Sequence, residues 1–190
     1  MNEPRRDIPR EEPKMAMETC VLGGGCFWCL DATFRLVEGV EEVVCGYAGG
    51  DAPTPTYEAV CRGATGHAEV VELSYDPEVI GFRELLTIFF TLHDPTTLNR
   101  QGNDVGTQYR SAIYTLDEAQ ERQAREMIAE LESDYADPIV TEVRPLDRFY
   151  PAEAYHQDYF TKNPGNAYCQ FVIPPKRHKL ARTFGHRLKG

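Results

Sequence analysis

The stretch Thr19-Cys20-Val21-Leu22-Gly23-Gly24-Gly25-Cys26-Phe27-Trp28-Cys29 reads as strand, tight turn and helix start in immediate succession. Thr19 to Leu22 is a short apolar run suited to a strand, and three glycines end it. Beyond the turn, Phe27, Leu30, Phe34 and Val37 recur at three- and four-residue steps, one face of a helix, and Gly39 stops it. The turn places Cys26 in the first helical turn, where unpaired amides and the helix dipole favour a thiolate. Such placement is expected to lower its pKa from the usual value of about 8.5.

Working outward, Val40 to Tyr47 is β-branched enough for a strand, and a Pro/Thr-rich loop follows to about Thr56. Glu69 to Tyr75 has strand composition and is closed by Asp76-Pro77. Phe82 to Leu92 is an amphipathic helix ended by Asp94-Pro95. A loop from Thr96 to Gln108 leads to a strand over Ser111 to Thr115. Asp117 then caps a helix reaching about Tyr135, Ile139 to Arg144 is the last clear strand, and Ala152 to Thr161 reads as helical. This order predicts an α+β, two-layer sandwich with helices on one face of a mixed sheet and a split β-α-β (ferredoxin-like) core. Residues 1–17 read as a disordered leader, 18–170 as a single catalytic domain and 171–190 as a basic, solvated tail ending a long irregular C-terminal segment.

A formal charge of −10 argues against a nucleic-acid footprint over the 190 residues, although Lys176 to Lys189 is locally basic. No apolar run has the roughly 20 residues a membrane helix needs, and no secretory signal is visible, so the expected compartment is the cytoplasm. There the six cysteines are expected to stay reduced, and a disulfide is expected to be transient and catalytic. Cys26 and Cys29 form a C-x-x-C, a redox spacing, but the intervening Phe-Trp is unlike the small pair of thioredoxin-like proteins. Cys45, Cys61 and Cys169 stand alone, which disfavours zinc. Trp28 lies off the apolar stripe, so its indole suits a wall for a small thioether methyl group; Phe27 fits packing or substrate contact equally well.

Several separated motifs in one order resemble the A-type peptide methionine sulfoxide reductases. They are Gly25-Cys26-Phe27-Trp28, Gly46-Tyr47-Ala48-Gly49-Gly50, Pro55-Thr56-Tyr57, Gly66-His67-Ala68-Glu69, the run from Gln101 to Ser111, and Tyr155-His156-Gln157-Asp158-Tyr159. The resemblance implies reduction of methionine S-sulfoxide, free or within proteins, with no bound cofactor or metal and thioredoxin as reductant. Oligomerisation is not indicated, and a monomer is expected. Sulfoxide reduction needs a nucleophile on sulfur, here Cys26, and an acid for the departing oxygen. Glu69 fits the acid if burial keeps it protonated. Tyr57 and Tyr109 fit donors to that oxygen, and the resemblance makes Asp104 the carboxylate that organises the polar cluster.

Attack leaves Cys26 as a sulfenic acid that a second thiol must resolve. The resemblance puts the resolving cysteine at Cys169, in a glycine-bearing segment read as mobile, although Ala167-Tyr168-Cys169-Gln170 departs from the family's usual Gly-Tyr-Cys-Gly. Cys29 is the alternative resolver, on a helix whose rigidity opposes disulfide geometry. His67 and His156 admit a cysteine-hydrolase reading, and a redox-sensing or peptide-binding module is the non-enzymatic alternative.

Overall fold

The computed structural model describes residues 16–190; the expected leader falls almost wholly outside them. Its strands are β1 (Glu18–Gly23), β2 (Val40–Ala48), β3 (Ala68–Tyr75), β4 (Arg100–Gln101), β5 (Asp104–Val105), β6 (Ala112–Thr115), β7 (Glu142–Pro145) and β8 (Phe149–Pro151). Its α-helices are α1 (Phe27–Phe34), α2 (Tyr57–Cys61), α3 (Phe82–Leu92), α4 (Glu118–Leu131), α5 (Tyr159–Lys162) and α6 (Ala167–Phe184). Six strands form one mixed sheet in the order β7-β6-β1-β3-β2-β8, and β4-β5 is a separate small hairpin. β1 and β2 are both antiparallel to β3, so they run parallel to each other with β3 between them and α1 as their crossover. β3 and β6 flank β1 in the same way, connected through α3.

Alternation along the strands separates two faces. Cys20 and Leu22 of β1 join Val43, Cys45, Leu73 and Ile113 in the main core, against Phe27, Leu30 and Phe34 of α1 and Leu85, Leu86 and Phe89 of α3. Val21, Val70, Ala112 and Tyr114 point to the opposite face, a smaller cluster backed by Leu146 and Phe149. The α+β expectation holds, with helices packed on a mixed sheet. α3 spans the expected residues, and Asp117 caps α4 by accepting the Gln120 amide at 2.8 Å.

Three local readings are corrected. The expected strand at Ile139 to Arg144 starts only at Glu142, and short β8 was missed because three residues give too little alternation to read. Ala152 to Thr161 is broken into a 3-10 turn at Ala154–His156 and α5, with Asp158 left-handed between them (φ 53°).

The largest correction concerns the C-terminal segment, which is helix α6 rather than irregular, and the basic tail is docked rather than solvated. Pro174 and Pro175 interrupt its helical signal, since proline removes a donor and crowds the preceding turn. Tertiary contacts compensate. Cys169, Ile173 and Leu180 face inward and are fully buried. Lys176 Nζ donates to the Leu92 carbonyl at 2.7 Å, and Arg177 donates twice to Ala32 O, at 3.1 and 2.9 Å. Both carbonyls lie in the last turns of helices, where no intrahelical donor remains. Beyond α6, Leu188 pairs with Val37 and Lys189 N donates to Leu36 O at 2.9 Å. Leu180→Ala should therefore cost about 2–5 kcal/mol in urea unfolding, whereas a solvated tail would show a change within about 0.5 kcal/mol.

Candidate active site

The strand-turn-helix unit around Cys26 is built as the glycines require. Gly25 has φ +91°, a left-handed conformation, and a Cβ there would meet the Gln101 side chain at 2.7 Å. Cys26 is the N-cap of α1, with φ −59° and ψ 125°, so it stands just outside the helix it precedes. Immediately behind it, the Phe27 amide donates to Glu69 Oε1 at 3.1 Å, tying the start of α1 to β3. Glu69 is 1% exposed, and burial pushes its carboxyl up to about 8 despite that amide. Its charge is the largest acting on the Tyr109 phenol, and it also bears on Tyr57, together with that of Cys26. Burial raises both phenols well above their ordinary range, so they stay donors. The structure thus brings Cys26, Glu69, Tyr57 and Tyr109 into one neighbourhood from four separate elements.

Asp104, on the β4-β5 hairpin, faces the same region and accepts a hydrogen bond from Tyr168 Oη at 2.5 Å. Tyr168 was not foreseen; only its place beside Cys169 hinted at it. Trp28 is fixed as a plate: Nε1 donates to His156 Nδ1 at 3.0 Å, and one face stacks on Tyr159 with centroids 3.8 Å apart. Phe27 is wholly buried beneath the site, its ring against Tyr47, Tyr57 and His156, so its ring supports the others from below. Glu153, also unforeseen, accepts from the Tyr57 amide at 3.1 Å and from Tyr47 Oη at 3.0 Å, seating α2 beside β2.

Both histidines are committed elsewhere. His67 Nδ1 accepts the Gly50 amide at 3.0 Å while Nε2 donates to Ala52 O at 2.7 Å, holding the loop after β2. His156 holds Trp28 through Nδ1, and its buried Nε2 has no partner. Neither is hydrogen-bonded to Cys26, which leaves a cysteine-hydrolase arrangement without its base.

The thiols differ from expectation. Burial pushes the Cys26 thiol well above its ordinary value, and the Cys29 sulfur and Glu69 add to this; only the Trp28 amide pulls it down. The helix N-terminus alone would lower it, but desolvation is the larger effect. Cys29 moves the opposite way, lowered by its hydrogen bond with Cys26 and by the nearby Lys176 ammonium. Cys169, expected on a mobile segment, is instead fully buried in the first turn of α6, where Asn166 accepts its amide at 3.1 Å.

A buried carboxylic acid beside a helix-capping thiol, with two further thiols behind it and every cysteine unpaired, defines a thiol-based oxidoreductase. Residues 18–188 match the family model described as peptide methionine sulfoxide reductase, and the chain belongs to that family. It is 61% identical over 166 residues to peptide methionine sulfoxide reductase MsrA of Nautilia profundicola, covering 87% of this chain and 95% of the relative. The structure of methionine sulfoxide reductase A of Corynebacterium diphtheriae superposes with a TM-score of 0.77 at 40% identity, covering 87% of this chain and 85% of that one. Mxr1 of Saccharomyces cerevisiae in complex with Trx2 superposes with a TM-score of 0.55 at 27% identity, covering 81% and 91%. The chain is accordingly a methionine sulfoxide reductase, an oxidoreductase.

The raised Glu69 pKa has a signed consequence for stability. Between its ordinary value of 4.5 and about 8, the folded state holds a proton that the unfolded state has lost, so stability falls as pH rises across that window. Glu69→Gln keeps an acceptor for the Phe27 amide and carries no charge. Its melting temperature should exceed wild type at pH 9 and converge with it near pH 4; equal melting at pH 9 would place the wild-type pKa near 4.5.

Proposed function

We propose that Cys26 attacks the sulfur of methionine S-sulfoxide, free or in a protein, while Glu69 gives its proton to the oxygen. The supporting observation is the buried Glu69, protonated near neutrality and anchored to the residue after Cys26 at 3.1 Å. Tyr57 and Tyr109 donate to the oxygen as it gains charge, and Asp104 with Tyr168 orders the polar side of the site. The Trp28 plate, supported by Phe27, receives the methyl group on the sulfoxide sulfur. The methionine sulfur gains two electrons, Cys26 loses two, and the oxygen ends on Cys26 as a sulfenic acid. Resolution of that sulfenic acid ends in a disulfide that includes Cys169, and an external dithiol restores the thiols.

The yeast relative's complex with Trx2 supports a thioredoxin as that dithiol. The six free cysteines suit a reducing cytoplasm, and monomeric action needs no residue from a second copy. No helix among the described residues is long and apolar enough to cross a membrane. No separate metal or cofactor enters this chemistry.

Cys26→Ser should release no methionine in a single turnover, because a hydroxyl replaces the attacking thiol. Glu69→Gln should slow methionine release itself by about 10²–10⁴-fold, the usual worth of a positioned acid. Wild-type release should decline as pH rises through about 8. Methionine release by Cys26→Ser near the wild-type rate, or a Glu69→Gln effect confined to disulfide formation, would overturn these assignments. Cys169→Ser should release its first equivalent of methionine at the wild-type rate, since the attacking thiol and the acid are untouched.

A further inference from the structure

Cys29 was the alternative resolver, disfavoured because a regular helix keeps its sulfurs apart. On a helix surface, residues three apart have Cβ atoms about 5–6 Å from each other, whereas a disulfide needs roughly 3.5–4.5 Å. Cys26, however, is outside the helix. Its extended ψ of 125° breaks the helical path before α1, while the Cys29 amide donates back to Cys26 O at 3.1 Å. The two thiols pack in one cluster and bear on each other's ionisation, Cys29 raising the Cys26 thiol and Cys26 lowering that of Cys29. They line one cavity of about 310 Å³, together with Asp104, Tyr168 and Lys176, so the sulfurs have room to approach.

Cys169 is related to the other two differently. Cys29 and Ala32 on α1 meet Cys169 and Ile173 on α6 in one buried cluster, and Cys26 sits at its rim. Among the thiols, Cys29 is the one whose charge acts on Cys169. Cys29 is thus the middle sulfur, adjoining Cys26 on one side and the Cys169 helix on the other. Cys169 is wholly buried and does not line the cavity, whereas Cys29 does.

Resting on the proposed function, we propose that Cys29 is a relay thiol: it resolves the Cys26 sulfenic acid first and then passes the disulfide to Cys169. In the first step the Cys29 sulfur attacks Cys26, an S–S bond forms, the S–O bond breaks, and the sulfenic OH leaves as water with one added proton: the Cys29 proton where Cys29 starts as thiol, or one from solvent or an adjoining acid where it starts as thiolate. In the second step Cys169 attacks the Cys29 sulfur. The Cys26–Cys29 bond breaks, the Cys29–Cys169 bond forms, and the Cys169 proton passes to Cys26, which is again a thiol. An external dithiol entering through the cavity attacks Cys29, takes the two oxidising equivalents as its own disulfide and returns both enzyme thiols. The Lys176 ammonium, held by the Leu92 carbonyl, favours Cys29 as thiolate in the first step.

The test is a burst without reductant, followed by quenching, alkylation and disulfide mapping by mass spectrometry. Reduced wild type should release one equivalent of methionine, regenerate Cys26 as the disulfide moves inward, and then release a second equivalent. The Cys26–Cys29 crosslink should appear before Cys29–Cys169, a time course that needs no variant. Cys169→Ser should stop at Cys26–Cys29 after one equivalent. Cys29→Ser should hold Cys26 as a sulfenic acid trappable by dimedone, with Cys169 still alkylated as a free thiol. A wild-type burst of one equivalent ending in Cys26–Cys169, or that crosslink forming at the wild-type rate in Cys29→Ser, would overturn the relay while leaving Cys26 and Glu69 in their roles. Methionine release by Cys26→Ser would instead overturn the proposed function, and the relay with it.

Discussion

The hydrogen bond from the Phe27 amide to Glu69 Oε1 governs the architecture around the site. It is buried, it spans 42 residues of sequence, and it joins the helix carrying the thiol neighbourhood to β3, one of the two central strands of the sheet. An amide at a helix start needs an acceptor, and a carboxyl group out of water needs a donor. Each meets the other's requirement, yet one hydrogen bond does not offset the desolvation of a full charge. The carboxyl therefore holds its proton to about 8, and a structural bond leaves an acid beside a thiol.

The aromatic side of the site follows from the same anchoring. With Phe27 fixed beneath the surface, Tyr57 and His156 pack on its ring, and His156 in turn holds the Trp28 indole by its nitrogen. Arg110 fastens the loops bearing the other groups, donating to Gly66 O at 3.0 Å, Thr107 O at 2.8 Å and Glu142 at 2.9 Å. Tyr109 and Glu69 thus hang from segments clamped by one guanidinium, whose planar fork suits several acceptors at once.

On the opposite side, α6 closes the thiol cluster. Its two lysine and arginine anchors cap the ends of α3 and α1, and its apolar edge buries Cys169 beside Cys29. The cationic residues that look like a solvated tail supply the missing donors of two helix ends, and one of them sets the charge around Cys29. A rigid helix in place of a mobile loop makes a sulfur between Cys26 and Cys169 mechanically useful.

The sequence by itself determined the elements whose signals are local. Thr19 to Leu22, the glycine turn, the Phe27-Leu30-Phe34 stripe, the helix from Phe82 to Leu92 and the Asp117 cap depend on neighbours within a turn or two. The chemistry of sulfoxide reduction asked for a nucleophile and an acid, which Cys26 and Glu69 fit, and the family resemblance carried by the ordered motifs implied Tyr57, Tyr109 and Asp104 beside them. Only the tertiary structure decided what depends on distant partners. α6 survives two prolines through carbonyls at Ala32 and Leu92, far away in the chain. Tyr168 and Glu153 enter the site because Asp104 and Tyr57 require partners that no spacing announces. The Cys26 pKa rises although its place at a helix start favours a fall, because burial is a property of the whole fold and helix position is a property of the segment.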